Sequence, residues 1–276
     1  MINDFDQYLA GELNGEHVQL PEVRPFSNYI DWLGQQNKSK STDYWNNYLS
    51  GYEDAASVPY QTGKLIQTAS SVEIETSLIQ GEDFARFNAL CNQLNITQNS
   101  FLQTVWGYLL GLYNGSDDVI FGSVVSGRSN DLEGIDEMVG LFINTIPVRC
   151  TFEEGKTIEQ LLVETNRKSI ESTKYHYQNL AEVQSLSEQG MHLIDHIMVF
   201  ENFALTEQSE ASKASTISNI EFTDRTNYPF NLVVIPVEGG LKVEFRYDTG
   251  LFEETGMKHL AKEFTYWVNA FAESSD

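Results

Sequence analysis

The stretch from residue 118 to residue 149 constrains the fold of this chain more than any other. It contains two runs of β-branched and aromatic residues, Val119–Val125 and Phe142–Val148, on either side of a polar, acidic loop. The first run predicts a strand buried on both faces, and Gly122 within it allows a neighbour to approach its backbone closely. Pro147 cannot donate to a β-ladder, so we expect it on an edge strand or near a strand end.

Apolar residues recur at helical spacing both before and after this stretch. Thr97 is placed to cap a long helix that closes at Gly115, and the broad apolar face of that helix predicts the central buried helix of the fold. Thr157 and Gln160 have the spacing of a capping box at the start of another helix. The remaining helices are predicted at residues 2–13, at 26–50 with a break near 37–42, at 81–94 and from about 253 onwards.

Further strands are indicated by alternation and by short apolar runs. Residues 72–78 alternate apolar and polar side chains, which predicts a strand with one exposed face. Glu238-Gly239-Gly240 lies between two apolar runs, the signal of a β-hairpin. Strands are also expected at residues 193–200, 217–222, 232–237 and 241–247, with a mobile Ser- and Glu-rich loop at 205–215. Strands and helices mixed in this way predict an α/β sandwich.

Composition excludes several classes of function. The formal net charge of −23, from 17 basic and 40 acidic residues, argues against binding to nucleic acid or to an anionic membrane surface. Cys91 and Cys150 are the only cysteines and neither belongs to a CxxC pair, so we expect no disulfide framework and no structural zinc. The first residues lack the basic region of a signal peptide, and no apolar run is long enough to span a membrane. A cytoplasmic protein is therefore expected.

His192 and His196 stand four residues apart, the spacing at which a helix offers two ligands to one metal ion. The apolar run that follows favours a strand, in which positions four apart are separated by about 13 Å. Two ligands of one zinc ion cannot be that far apart, so we expect no metal site here.

Two segments carry a resemblance to a known family. Ile120–Arg128, which reads IFGSVVSGR, and Met138–Arg149, which reads MVGLFINTIPVR, resemble the condensation domains of nonribosomal peptide synthetases. Phe26–Trp32, His176–Val183 and Arg225–Phe230 follow that family's order, so the resemblance covers nearly the whole chain. It implies an α/β fold of the chloramphenicol-acetyltransferase-like kind, a two-layer sandwich.

The signature HHxxxDG of that family is missing, because no two adjacent histidines occur in the sequence. The resemblance therefore implies the C-terminal half of a condensation domain, with residues 1–60 as a helical connector from the absent N-terminal lobe and residues 61–276 as the C-terminal lobe. Without the histidine that acts as general base, this chain is expected to be inactive alone.

The reaction that the resemblance implies joins two carrier-bound substrates through a peptide bond. Its partners would be peptidyl carrier proteins, an adjacent adenylation domain and the N-terminal lobe. The 4'-phosphopantetheine arms of the carrier proteins would enter a tunnel between the lobes, and no cofactor would be bound directly. An apolar surface around Trp32, Trp45 and the 118–149 stretch would face the other lobe, so self-association is also expected.

The resemblance implies that five residues line the tunnel for substrate and pantetheine: Gly122, Ser123, Ser126, Asn144 and His176. The amide of Asn144 could serve a pantetheine amide or a developing oxyanion, or it could instead satisfy backbone groups. His176 could line the acceptor side or cap a helix. Ser126 has no GxSxG flanks and no base placed by sequence, so we do not expect it to act as a nucleophile.

Arg128 would pair with the aspartate of HHxxxDG in the family. Because that aspartate is not in this sequence, we expect Arg128 to be exposed or paired with Asp131, Glu133 or Asp136. The alternative is a loop arginine with only local contacts.

Two other functions remain open at this point. The chain could be half of an epimerisation domain, which belongs to the same superfamily. It could also be a non-catalytic module that binds a carrier protein or acts as a scaffold.

Overall fold

A computed structural model describes residues 2–20, 22–62, 71–129, 131–201 and 226–274. The strand expected at 217–222, the loop expected at 205–215 and Arg225 lie outside the described residues. The strands are β1 (Val72–Gln80), β2 (Asp118–Val125), β3 (Asn144–Thr151), β4 (Ile197–Phe200), β5 (Phe230–Val237) and β6 (Gly240–Asp248). The helices are α1 (Ile2–Asn14), α2 (Ser27–Gly34), α3 (Lys38–Leu49), α4 (Gly81–Leu94), α5 (Gln98–Asn114), α6 (Ile158–Ser172), α7 (Leu180–Gln184) and α8 (Glu254–Glu273).

The strands form one mixed sheet in the order β1-β6-β5-β4-β2-β3. The short strand β4 pairs in parallel with both β2 and β5, whereas β3, β6 and β1 join in antiparallel pairs. Pro147 lies on the edge strand β3, opposite Gly122 of β2, as the missing N–H of proline requires. The hairpin around Glu238 to Gly240 is confirmed between β5 and β6.

Helices cover the whole of one face of this sheet and part of the other. Strand β2 shows the result: Val119 and Phe121 belong to the main core beneath the helical layer, while Ile120 belongs to a second core on the opposite face. Helix α5 is the buried central helix that was predicted, with Thr97 accepting from Ser100 N–H at its start. Burial of β2 on both faces is thereby confirmed.

Residues 45–58 pack against the sheet. Trp45 is fully buried in the second core together with Leu49 and Tyr52, and Ala56 and Val58 belong to the main core. The expectation that Trp45 feeds an exposed apolar surface is therefore wrong, because its indole fills the space against β2 and β4. The assignment of residues 1–60 as a connector between lobes stays a prediction.

Strand β1 is present as predicted, but its apolar row points away from the helices. Val72, Ile74 and Leu78 are exposed, whereas Ile79 of the other row is buried. The register explains this: Ile79 lies opposite Leu241 of β6, on the face that α8 covers, while Leu78 lies opposite Lys242. Alternation predicts a strand, but the covered face depends on the neighbouring strand and helix.

The strand expected at 193–200 is shorter than its apolar run. A 3₁₀ turn occupies Gly190–Leu193, and the extended pairing begins at Ile197. None of the described helices is both long enough and apolar enough to cross a membrane.

Candidate functional site

A groove of about 690 Å³ opens where β2 and β4 end. Ligands of open α/β sheets are commonly bound at the carboxyl ends of parallel strands, which is where this groove lies. Its wall includes Val124 and Val125 of β2, Phe200 of β4, Gln98 and Asn99 of the first turn of α5, and the segment after α6. Of the residues predicted for the site, the structure brings Ser126, Arg128 and His176 together around it.

Arg128 shapes the rim of this groove through contacts with the main chain. Its guanidinium donates to the carbonyl of Ile135 and, at 3.1 Å, to the carbonyl of Met138. The guanidinium also lies over the ring of Phe142, with Cζ 4.2 Å from the ring centroid. The expected pairing with Asp131, Glu133 or Asp136 is wrong, because the two carbonyl groups and the ring take the guanidinium instead.

His176 is held in place by its neighbours rather than free in the groove. Its Nε2 lies 3.0 Å from Ser172 Oγ, and its carbonyl accepts from the side chain of Asn144. Burial lowers the pKa of His176 from 6.5 to about 4, so the imidazole is neutral at neutral pH. A base with so low a pKa is a weak proton acceptor.

Asn144 is at the start of β3, and its side chain forms hydrogen bonds with main-chain groups. Its Nδ2 donates to the carbonyls of His176 and Gln178, at 2.8 and 2.7 Å, and its Oδ1 accepts from Thr145 N–H at 2.9 Å. Both N–H groups of the amide are therefore used, and Asn144 acts as a brace that ties the segment carrying His176 to β3.

Gly122 and Ser123 lie within the sheet, below the groove. The N–H of Gly122 donates to the carbonyl of His196, and a Cβ at Gly122 would meet the Cγ2 atoms of Ile194 and Ile197 at 2.8 Å each. Glycine is thus required here for packing between strands. Ser123 is buried and accepts a hydrogen bond of 3.0 Å from Gln103 Nε2.

The groove differs in charge from the chain as a whole. Although the formal net charge is −23, the described residues that line the groove include two cations, Arg128 and Lys174, and one acidic residue, Asp131. Among these described residues, positive charge exceeds negative charge.

His196 is a buried residue whose role the sequence did not reveal. Its Nε2 accepts a hydrogen bond of 2.9 Å from Trp106 Nε1, and its Nδ1 pairs with the carboxylate of Asp195. His192 lies in the 3₁₀ turn instead, and within the described ranges no three His, Cys, Asp or Glu side chains form a group that could hold a metal. No local signal exists for this pairing, because Trp106 and His196 are 90 residues apart.

Gln103 and Asn99 were also missed, although a signal existed. They stand four apart on α5, and Gln103 is a polar residue buried in a helix whose buried side chains are mostly apolar. A polar side chain at such a position has to find a partner inside the fold or a ligand.

The family model described as Condensation domain matches residues 1–276 of this chain. The chain is similar to bacitracin synthase 3 of Bacillus licheniformis, with 38% identity over 262 residues, and to tyrocidine synthase 2 of Brevibacillus parabrevis, with 35% identity over 279 residues. These matches cover 94% and 98% of this chain but 4% and 8% of the two synthases. The chain thus spans a small part of the length of these relatives.

The fold is similar to that of the X-domain from teicoplanin biosynthesis. The TM-score is 0.75 at 14% sequence identity, and the match covers 98% of this chain and 64% of that chain. At this identity the likeness concerns the fold alone, and it confirms the predicted chloramphenicol-acetyltransferase-like α/β architecture.

Proposed function

The chain belongs to the condensation-domain family, and on that premise we propose that it is part of a nonribosomal peptide synthetase that forms a peptide bond between two carrier-bound substrates. In this reaction the amine of one aminoacyl thioester attacks the carbonyl carbon of the other thioester. The new C–N bond forms, the C–S bond breaks, and the proton lost by the amine ends on the departing thiol.

The family match along the whole chain carries this proposal, and the groove supports it. The 4'-phosphopantetheine arm of a peptidyl carrier protein is long, amide-containing and anionic at its phosphate. The groove provides polar groups of the first turn of α5 and, for the phosphate, the amine of Lys174 together with the positive charge of Arg128. An adenylation domain would supply the aminoacyl groups.

The proton acceptor comes from outside these residues in this proposal. No two adjacent histidines occur in residues 1–276, burial lowers the pKa of His176 to about 4, and His196 is engaged by Trp106 and Asp195. A lobe that carries HHxxxDG would complete the site, with residues 61–276 as the C-terminal lobe and residues 1–60 as the connector. The chain alone then lacks both proton transfer and half of the positioning surface.

The test combines this chain with carrier proteins that have been loaded with an aminoacyl and a peptidyl group. We expect the extended peptidyl carrier, detected by mass spectrometry, only when a polypeptide bearing HHxxxDG is added. Ser126→Trp should abolish the product by filling the groove. The control Ser57→Trp, at the far end of α5 beside Asn114, should not.

Three other results of this assay would each contradict the proposal. Product formation by the chain alone would contradict the need for an external base. Inversion of the aminoacyl stereocentre without condensation would indicate an epimerisation domain. Binding of carrier proteins without turnover, even with the second lobe present, would indicate a scaffolding module.

A further inference from the structure

A second, smaller cavity lies directly beneath the groove. It has a volume of about 30 Å³ and is enclosed by α5, α6, β2 and β3. The cavity and the groove share four lining residues, Asn99, Val125, Ser169 and His176, so the two spaces adjoin. A volume of this size accommodates a group about as large as one water molecule, and not an amino-acid side chain.

Two side-chain amides with unused oxygen atoms line this cavity. Gln103 is 2% exposed, and its Nε2 donates to Ser123 Oγ at 3.0 Å. Its Oε1 has no hydrogen-bond partner among the residues that the structure describes, and the same holds for Asn99 Oδ1. Because the two residues are four apart on α5, their side chains project from the same face of the helix.

Two buried amide oxygens without hydrogen-bond partners in the described part of the chain lower the stability of the fold. Buried polar atoms in folded proteins are nearly always paired, and an unpaired one lowers stability. An apolar side chain at position 103 would fill the same space without that loss. Both oxygen atoms are therefore available to accept a hydrogen bond from a group that enters the cavity from the groove.

The charges around the cavity restrict the chemistry of that partner. The amine of Lys168 is occupied by Thr151 Oγ1 at 3.0 Å and by a carboxylate oxygen of Glu164 at 3.1 Å. The guanidinium of Arg149 is occupied by Asp118. With these cations engaged, the two unpaired amide oxygens attract an N–H donor and repel a carboxylate or phosphate.

We propose that the cavity is a subsite for one N–H group of the thioester ligand in the groove, bound by Gln103 Oε1 and Asn99 Oδ1. Ser123 is a positioning residue, since its hydroxyl accepts the hydrogen bond from Gln103 Nε2. The N–H belongs either to an amide of the pantetheine arm or to the amine of the aminoacyl group. The inference rests on the proposed function, which places that arm in the groove.

The first test titrates the whole chain with free pantetheine, which has two amides and no amine, and separately with methylammonium, which has only an amine. Side-chain amide signals in proton–nitrogen correlation spectra report on Gln103, and the Trp32 indole reports on the groove. Gln184 at the end of α7 is the internal control. Its Nε2 donates to the carbonyl of Met191 at 3.4 Å. We expect pantetheine to shift both Gln103 and Trp32 and to leave Gln184 unchanged.

A Gln103 response to methylammonium but not to pantetheine would assign the subsite to the amine of the aminoacyl group. A shift of Trp32 alone with pantetheine, and no response of Gln103 to either probe, would overturn the subsite and leave the proposed function standing. No shift of either residue with either probe would overturn both.

The second test removes the amide and its support together, in the double variant Gln103→Leu with Ser123→Ala. Replacing both partners of a buried hydrogen bond with apolar groups is nearly neutral for stability. We therefore expect an unchanged or higher melting temperature and a pantetheine dissociation constant at least about tenfold larger, a change of about 1.4 kcal/mol. Gln184→Leu should leave the dissociation constant unchanged. Unaltered affinity of the folded double variant for the probe that shifts Gln103 in the wild-type chain would overturn the proposal, and if the variant fails to fold, the titration of the wild-type chain decides.

Discussion

The guanidinium of Arg128 lies over the ring of Phe142, with 4.2 Å between Cζ and the ring centroid. Arg128 follows the end of β2 and Phe142 precedes the start of β3, so this contact closes the base of the loop between the two strands. The same guanidinium donates to the carbonyls of Ile135 and Met138, which connects the middle of the loop to Arg128. One side chain therefore ties the two ends of this loop together beside the groove.

Arg128→Ala should lower the free energy of unfolding by about 1–3 kcal/mol, because two carbonyl groups lose a charged donor and the ring loses its cation. Chemical denaturation of the purified chain measures this. Arg167→Ala is the control, since Arg167 forms an exposed pair with Glu171 on α6 that contributes about 0–1 kcal/mol. An equal loss of unfolding free energy in the two variants would show that the contacts of Arg128 stabilise the fold no more than an exposed ion pair does.

Gly122→Ala should destabilise the chain by about 1–3 kcal/mol through overpacking. The added methyl would lie 2.8 Å from both Ile194 Cγ2 and Ile197 Cγ2 and 3.2 Å from the carbonyl oxygen of His196, so these neighbours would have to shift. Thermal denaturation measures the loss. Gly34→Ala, in α2 with no atom within 4 Å of the added carbon, should have little effect. An unchanged melting temperature for Gly122→Ala would contradict the close packing.

Asn144→Ala should release the segment that carries His176 from β3. The loss of its hydrogen bonds to the carbonyls of His176 and Gln178 should cost about 1–3 kcal/mol, at about 0.5–1.5 kcal/mol for each bond. Hydrogen exchange should then be faster across residues 173–178, while Asn47→Ala on the exposed face of α3 should leave exchange there unchanged. Unchanged protection in Asn144→Ala would count against the bracing role.

Stability should fall as the pH drops from about 6.5 towards 4. The pKa of His176 is lowered from 6.5 to about 4 by burial, so between these values the unfolded chain binds more protons than the folded chain. Above pH 6.5, the pKa of the unfolded chain, the neutral His176 contributes its full share to the free energy of unfolding. That share is on the order of 3 kcal/mol and is lost as the pH falls to about 4. Denaturation midpoints at a series of pH values measure it. His176→Gln should flatten this dependence, with His17→Gln at an exposed histidine as the control for the loss of a titratable group. An equally steep dependence in His176→Gln would assign the effect to other groups.

The loop before β3 should promote self-association. Leu141 is 80% exposed and Ile143 is 66% exposed, with Val139 close by, and exposed apolar clusters drive association. The double variant Leu141→Ser with Ile143→Ser should shift the sedimentation profile towards monomer. Met191→Ser, at an exposed apolar residue elsewhere on the surface, should not. A wild-type chain that is monomeric at every concentration would contradict this expectation.

The sequence alone determined the features that depend on near neighbours in the chain. Periodicity predicted the longer helices and most strands, but not the short helix α7. The capping box of Thr157 and Gln160 is present, and Pro147 lies on an edge strand. The motifs around Gly122 and Asn144 indicated the family that the family match confirms. These signals are readable because caps, turns and amphipathic faces arise from residues within a few positions of one another.

Only the tertiary structure decided which partner each polar side chain has. Asn144 bonds to a segment 32 residues away, Trp106 to His196 at 90 residues, and Arg128 to carbonyl groups in place of the nearby acids. It also decided that the apolar row of β1 is the exposed one, and that Gln103 faces a cavity beside the groove. Such outcomes depend on how distant elements pack, and a buried hydrogen bond is set by that packing rather than by local sequence.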